Sequence, residues 1–152
     1  MTDEKLFLNS QLSTAQTTTP LEKAQNDYNF QFTKYRDAQD EYTTAKAAYS
    51  TFKTAVSKNN AYAKTRDYLI AIDNLYISYV RLIKEHGNKF TWGQLSFQKE
   101  QIVKLLDDEI NYFSQHQTET RKTNTLEDLP GQAEELKTHL VEELDKKIYK
   151  TF

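Results

Sequence analysis

A chain of 152 residues with a net charge of −2 has the usual length of a single domain, and its acidic and basic residues are interspersed. This balance excludes a large electrostatic field that would attract nucleic acid or an anionic membrane. The chain has no cysteine, which excludes disulfides, thiolate catalysis and cysteine-based zinc sites, and its three glycines and two prolines are too few for a many-stranded sheet.

The first residues form a segment of their own. Residues 1–16 include Asp3 and Glu4 and lack a long apolar core, so they do not have the features of a signal peptide. A small apolar cluster at residues 6–12 is followed by three threonines. We expect residues 1–19 to form a short helix or arm and then a linker, and residues 20–152 to form one helical domain.

The first long helix has a clear beginning and a sevenfold repeat. Thr19, Pro20 and Glu22 combine an N-cap, a proline at the first helical position and a capping box. A sevenfold repeat keeps one face of a helix turned toward a partner helix. The repeated residues are Tyr28, Tyr35, Tyr42 and Tyr49. The pattern predicts a helix over residues 20–56, about 37 residues long.

The residues that flank this repeat distinguish a bundle from a two-stranded coiled coil. Phe32, Ala48 and Ala55 occupy positions where a dimeric coiled coil usually has Glu or Lys. The apolar stripe is therefore wider than a two-stranded seam requires, which favours a bundle. Each tyrosine can pack its ring against the neighbouring helix and keep its hydroxyl at the solvent-exposed edge of the interface.

A second, more apolar helix follows a predicted turn at residues 58–60. Between Tyr68 and Ile83 the charged residues are Asp73 and Arg81, so most of the helix circumference is apolar. This composition is typical of a central helix with several neighbours. The segment is too short and too charged to span a bilayer.

The rest of the chain predicts a loop and two more helices. The loop at residues 88–95 contains Phe90 and Trp92, which either close one end of the bundle or recognise a partner. Ser96 can cap a third helix that frays over residues 115–125. A fourth helix begins near Leu129, and its apolar residues recur every three or four positions. The predicted fold is an all-α antiparallel four-helix bundle with a long first helix.

The sequence offers few residues for catalysis or metal binding. His86, His116 and His139 are far apart, and none lies three residues after a glutamate, as in di-iron bundles. Glu135 and His139 are one helical turn apart, where surface pairing is favoured over metal ligation. Glycine-rich phosphate loops and serine nucleophile elbows are also missing. We therefore predict no catalytic residue, no cofactor and no metal site.

Two acidic features need a structural explanation. Asp73 interrupts the most apolar helix, and we expect it to form a structural ion pair or to lie at an exposed edge. If it is buried, it needs Arg66 or Lys84 as a partner or a raised pKa. The acidic run of residues 107–109 is predicted to be a solvated helix face, because adjacent helical residues point to different sides.

Several short motifs occur along residues 21–85. They are Lys23-Ala24, Asp27-Tyr28, Lys34-Tyr35-Arg36, Ala45-Lys46, Phe52-Lys53-Thr54, Ser57-Lys58, Lys64-Thr65 and Asp73. With these residues the segment resembles a group of uncharacterised helical proteins from candidate-phylum bacteria. The resemblance implies an exported or cell-surface location, because such sequences commonly begin with a signal peptide, and it defines no catalytic residue.

We expect a non-enzymatic scaffold or protein-interaction module, because apolar and tyrosine-rich helix surface is in surplus and no polar residues converge. Its partner is predicted to be another protein or a second copy, not nucleic acid. The candidate interaction surface comprises Tyr28, Tyr35, Tyr42, Tyr49, Phe90 and Trp92.

Two alternatives remain open. One is a sensor-like bundle that holds a small ligand near Tyr68, Asp73 and Tyr76. The other is a small immunity or inhibitor protein that binds through the acidic residues 107–109.

Overall fold

The computed structural model describes residues 18–87 and 99–141, and within these ranges the chain is helical with no strand, as predicted. The predicted N-terminal arm before residue 18, Phe90 and Trp92, and the end of the predicted fourth helix lie outside the described residues. The helices are α1 (Pro20–Phe52), α2 (Ala55–Gly87), α3 (Lys99–Lys122) and α4 (Leu129–His139), and a short 3-10 helix, Leu126–Asp128, precedes α4.

Helix α1 begins where the sequence predicts. Thr19 has an extended backbone, and its hydroxyl accepts a hydrogen bond from the Glu22 N–H at 3.1 Å. Pro20 occupies the first turn, where its missing N–H costs nothing. The capping signal in the sequence therefore positions the start of α1 correctly.

The turn between α1 and α2 lies at residues 53–54, so the prediction of a turn at residues 58–60 was wrong. Lys53 adopts the left-handed conformation (φ 51°, ψ 32°), and its N–H donates to the Tyr49 carbonyl. The Ser57 N–H donates to Thr54 Oγ1 while the Thr54 N–H donates to Ser57 Oγ, both at 3.0 Å. This reciprocal pair satisfies N–H groups at the start of α2, so residues 58–60 continue as helix.

Helices α1 and α2 form an antiparallel pair through the heptad tyrosines. The Tyr28 ring lies 5.8 Å from the Tyr79 ring, and the rings of Tyr35 and Tyr42 both stack on Tyr68. Early residues of α1 thus meet late residues of α2. Ala45 is 2% exposed, and its small side chain allows α2 to approach closely. These contacts confirm the packing seam that the sevenfold repeat predicts.

The apolar core lies between α2, α3 and α4. Its fully buried members in the described residues are Leu69, Val80, Leu106, Phe113, Leu129 and Leu136. Helix α3 runs antiparallel to α2, because the Tyr62 hydroxyl donates to the Thr123 carbonyl at 2.6 Å while Lys84 pairs with Asp107. Helix α2 therefore lies between α1 on one face and α3 and α4 on another.

Helix α3 continues to Lys122, so the predicted fraying from residue 115 was wrong. Its last turns are held because His116 and Thr120 are both buried against neighbouring helices. Among the described helices, none combines the length and the hydrophobicity needed to cross a bilayer.

Candidate functional site

Several polar side chains are buried where α2, α3 and α4 meet. Asp73 and Thr120 are fully buried, and His116 and Glu109 are 3% and 4% exposed. A buried polar group is costly unless it is hydrogen-bonded, so such a cluster has either a structural or a functional role. Its bonding geometry distinguishes the two roles.

His116 of α3 connects all three helices. Its Nδ1 atom lies 2.7 Å from Oδ2 of Asp73 on α2, and its Nε2 atom lies 2.8 Å from the carbonyl oxygen of Gln132 on α4. The predicted pairing of Asp73 with Arg66 or Lys84 was therefore wrong. Lys84 instead pairs with Asp107, and Arg66 donates to the Tyr62 hydroxyl.

The two partners of His116 determine where protons can sit. A carboxylate and a backbone carbonyl both accept hydrogen bonds, so two ring N–H groups are needed if Asp73 is ionised. If Asp73 is protonated instead, it donates to Nδ1 and the ring needs a single N–H. In either case the Asp73–His116 pair holds one proton more than a neutral imidazole beside a carboxylate.

The pKa values of both groups move in the direction that keeps this proton. Burial acts to lower the pKa of His116, but the hydrogen bond and the charge of Asp73, with the Gln132 carbonyl and the charge of Glu135, raise it overall. Burial raises the pKa of Asp73 despite the opposing effect of His116. The folded protein therefore retains protons that the unfolded chain releases.

This retention predicts that stability falls as the pH rises. Both pKa values are higher in the folded state. The free energy of unfolding therefore decreases with rising pH from the ordinary pKa of each group, 3.8 for Asp73 and 6.5 for His116, up through its raised pKa. Urea titrations at a series of pH values measure this slope. The Asp73→Asn/His116→Gln double variant is expected to lose this contribution, and an unchanged slope in that variant would contradict the assignment.

A second histidine pair lies about two helical turns away along α3. His139 Nε2 is 2.5 Å from Oε2 of Glu109, and the His139 ring stacks on Tyr112 with centroids 3.4 Å apart. Burial, followed by the charge of Glu135, raises the pKa of Tyr112 well above its ordinary range. The pairing of His139 with Glu135 that the sequence favoured is thus wrong, because His139 bonds across the helix interface to Glu109.

The acidic run of residues 107–109 does not form one surface. Asp107 pairs with Lys84 at 2.8 Å, and Asp108 pairs with Lys104 on its own helix at 3.3 Å. Glu109 faces His139 and is nearly inaccessible, so the prediction of a solvated face was wrong for this residue. The three carboxylates point in three directions, as adjacent helical positions require.

The residues of the predicted ligand pocket lie on different faces of α2. Tyr68 faces α1, where burial and the hydrogen bond of Tyr35 raise its pKa to about 12. Asp73 faces α3, and the Tyr76 ring stacks on Phe113 with centroids 5.5 Å apart. Tyr76 also borders the groove beside Tyr28. The structure therefore does not bring these three side chains into one cavity.

Two open grooves follow the tyrosine seam between α1 and α4. The first has a volume of about 340 Å³ and is bordered by Tyr28, Phe32, Tyr35 and Leu140, with residues of α2 at its base. The second has a volume of about 560 Å³. Its lining includes Tyr42, Lys46, Tyr49, Thr65, Pro130 and Lys137. The half-buried heptad tyrosines thus contact α2 and also border open grooves.

Helix α1 also carries exposed apolar side chains. Phe30 is 56% exposed and Phe32 is 40% exposed. Lys34, Asp37 and Glu41 follow Phe30 at helical spacing, and all three are exposed. Glu41 uses its Oε2 atom to accept a hydrogen bond from Lys64 of α2 at 3.4 Å.

No cluster of three or more possible metal-ligating side chains occurs within residues 18–87 and 99–141. Comparisons of the chain with protein-family models, curated proteins and solved structures give no match. The possible function must therefore be argued from the geometry of the chain itself.

Proposed function

We propose that this protein is a non-enzymatic helical scaffold that pairs with a second copy of itself through α1. The observation that carries the proposal is the one-sided packing of this helix. Ala45 is its one buried residue among 33, and the buried core is contributed by the other three helices of the described chain. A helix this long with so little buried surface usually gains stability from further packing.

The face of α1 that carries Phe30 is complementary to the same face of a second copy. Residues 30, 34, 37 and 41 are spaced by four, three and four, so they lie on one face of the helix. Lys34 precedes the acidic residues Asp37 and Glu41. In an antiparallel pair of α1 helices related by a twofold axis near residue 37, Lys34 lies opposite Glu41 of the other copy. Phe30 then lies within one turn of Ala48 of that copy.

The buried histidine pairs support a structural role for the polar cluster. A general base needs a free nitrogen and a path for substrate, whereas both nitrogens of His116 are bonded and its side chain is 1% exposed. The His116 ring bonds to two other helices, so it can hold the three helices together without taking part in a reaction. This arrangement supports a scaffold rather than an enzyme.

Light scattering coupled to size-exclusion chromatography tests the pairing. We expect a mass near twice the 17.8 kDa of the chain at high concentration, falling toward 17.8 kDa on dilution. Phe30→Glu is expected to shift the protein to monomer, because it places a charge in the apolar part of the interface. Thr118→Glu, which adds the same charge on the exposed face of α3, is the matched control.

Three outcomes of this experiment would contradict the proposal. They are a strict monomer at all concentrations, a dimer that Phe30→Glu leaves intact, and equal dissociation of the Thr118→Glu control. Circular dichroism of each variant checks that the helical fold is retained.

The antiparallel four-helix bundle and an exported or cell-surface location belong to the same proposal. Support for the bundle is that α1 and α2, α2 and α3, and α3 and α4 each make contacts in antiparallel order. In the last pair Glu109 bonds to His139 and His116 bonds to the Gln132 carbonyl. Support for the location is the resemblance of residues 21–85 to predicted exported proteins.

A second candidate function is ligand binding in the groove of about 560 Å³ between α1 and α4. The observation that favours it is a pair of lysines, Lys46 and Lys137, beside the rings of Tyr42 and Tyr49. The two lysines outnumber Glu134, the acidic residue in the same lining, so this groove suits an aromatic carboxylate. A rise in melting temperature with such compounds, lost in Lys137→Ala, distinguishes ligand binding from pairing through α1.

A further inference from the structure

Basic residues are concentrated in one segment of the sequence. Between Glu41 and Asp67 the chain has five basic residues and no acidic one, whereas the remaining sequence holds all 22 acidic residues and 15 basic ones. The basic residues of this segment are Lys46, Lys53, Lys58, Lys64 and Arg66. Because α1 and α2 fold back on each other at residues 53–54, Lys46, Lys53 and Lys58 lie within about two helical turns of one apex, which we define as residues 50–56. Lys64 and Arg66 lie further along α2.

The same apex carries the most exposed large apolar side chains of the described residues. Phe52 and Val56 are 69% and 78% exposed, more than any other large apolar side chain described. All seven residues from 50 to 56 are exposed. Single exposed apolar residues are common, but two of them on either side of a lysine make an amphipathic tip.

The backbone holds this tip in a fixed shape. Lys53 closes α1 in the left-handed conformation, which disfavours residues other than glycine and asparagine. The reciprocal hydrogen bonds of Thr54 and Ser57 then start α2 at once. Phe52 and Val56 thus lie at two capped helix ends. Their backbone is already ordered, so little conformational entropy is lost when the apex binds a partner.

Neighbouring acids neutralise only part of the positive charge. Lys58 forms an ion pair with Glu127, and Lys64 pairs with Glu41. Asp128, next to Glu127, accepts a hydrogen bond from the Thr125 hydroxyl and adds a further negative charge at this corner. No carboxylate partner is described for Lys46, which lies over the Tyr42 ring, or for Lys53 at the tip itself.

We propose that the apex binds the surface of an anionic lipid bilayer, with Phe52 and Val56 inserted among the headgroups and Lys53 facing the lipid phosphates. The apex is convex, since it is the reversal between two antiparallel helices. A partner helix or peptide usually binds in a groove, and this apex has a convex surface. A bilayer, in contrast, can accommodate a projecting apolar tip among its headgroups. Cations beside that tip add attraction to anionic lipid. This inference is independent of pairing through α1.

Vesicle co-sedimentation of the full chain tests the apex. We expect binding to vesicles of phosphatidylcholine with phosphatidylserine, weaker binding to phosphatidylcholine alone, and a decline with added salt. Phe52→Ser is expected to lower the partition coefficient about tenfold, because it removes the larger inserted side chain. Lys53→Gln should weaken binding and reduce its salt dependence.

A matched pair of valine substitutions tests whether vesicle binding depends on the apex or on any exposed apolar side chain. Val56→Ser is expected to weaken vesicle binding several-fold, whereas Val141→Ser, at a valine that is 51% exposed after α4, should leave it unchanged. The proposal is overturned if the wild-type protein does not sediment with anionic vesicles, or if both valine variants behave alike. Capture by an acidic polypeptide such as polyglutamate, without vesicle binding, would also overturn it.

Discussion

Replacement of Asp73 by alanine is expected to lower the free energy of unfolding by about 3–5 kcal/mol, because it leaves the buried His116 ring without the carboxyl group that shares its proton. The side chains of Asp73 and His116 are 0% and 1% exposed, so water cannot take the place of the carboxylate. Urea denaturation followed by far-ultraviolet circular dichroism measures the loss.

Two comparisons test whether the loss comes from the broken pair. Asp107→Ala removes a carboxylate that is 47% exposed and bonded to Lys84, and it should cost no more than about 1 kcal/mol. The Asp73→Leu/His116→Leu double variant should be more stable than Asp73→Ala, because it removes both charges together. If Asp73→Ala is as mild as Asp107→Ala, the pair does not hold the helices together.

Phe113→Ala is the second substitution with a large expected effect, a loss of about 3–5 kcal/mol. The Phe113 ring is fully buried and contacts the rings of Tyr76, Tyr112 and His139. Its removal leaves a cavity at the junction of α2, α3 and α4. The same denaturation experiment provides the measurement.

Phe30→Ala is the matched control for Phe113→Ala, since Phe30 is 56% exposed on α1. At a protein concentration where the chain is monomeric, this exposed substitution should change stability by no more than about 0.5 kcal/mol. Similar losses for the two phenylalanines would show that the core is not centred on Phe113.

The sequence was sufficient to predict α1 and its seam. Thr19, Pro20 and Glu22 define a helix start by local hydrogen bonding, which does not depend on the rest of the fold. The sevenfold tyrosine repeat defines a face, and that face meets Tyr68 and Tyr79 of α2. Both features are encoded within one helix, so a pattern in the sequence is enough to identify them.

The turn after α1 was misplaced because polarity was given more weight than capping. Residues 58–60 are polar, but an exposed helix face accommodates such residues. Thr54 and Ser57 form a capping pair in which serine takes the place of the usual glutamate or glutamine. A search for reciprocal side-chain caps in the sequence would have placed the turn correctly.

The buried histidine pair depends on contacts between distant segments, which one sequence does not reveal. A signal was nevertheless present in α3, where the buried residues are spaced by three and four. They are Leu106, Glu109, Phe113, His116 and Thr120. This spacing places the glutamate and the histidine on the core face, although the polar composition of residues 115–125 predicts fraying. Their partners, Asp73 and His139, follow only from the packing of α2 and α4.

The net charge of the whole chain does not reveal the basic residues near the apex. The net charge of −2 is the sum over a segment with five basic residues and no acidic one and over a remainder that is acidic. This uneven distribution of charge is visible in the sequence. Its consequence for binding depends on the α1–α2 hairpin, which places residues 42–66 at one end of the helix pair. Local charge counted along predicted hairpins is therefore more informative for this chain than the total.

Cysteine cross-linking tests the central claim, that the open flank of α1 pairs with a second copy, most directly. The natural chain has no cysteine, so Asp37→Cys introduces a single thiol close to the proposed twofold axis. We predict that mild oxidation converts this variant to a disulfide-linked dimer, whereas Lys104→Cys on the exposed face of α3 stays monomeric under the same conditions. Equal cross-linking of both variants, or none at residue 37, would contradict the account.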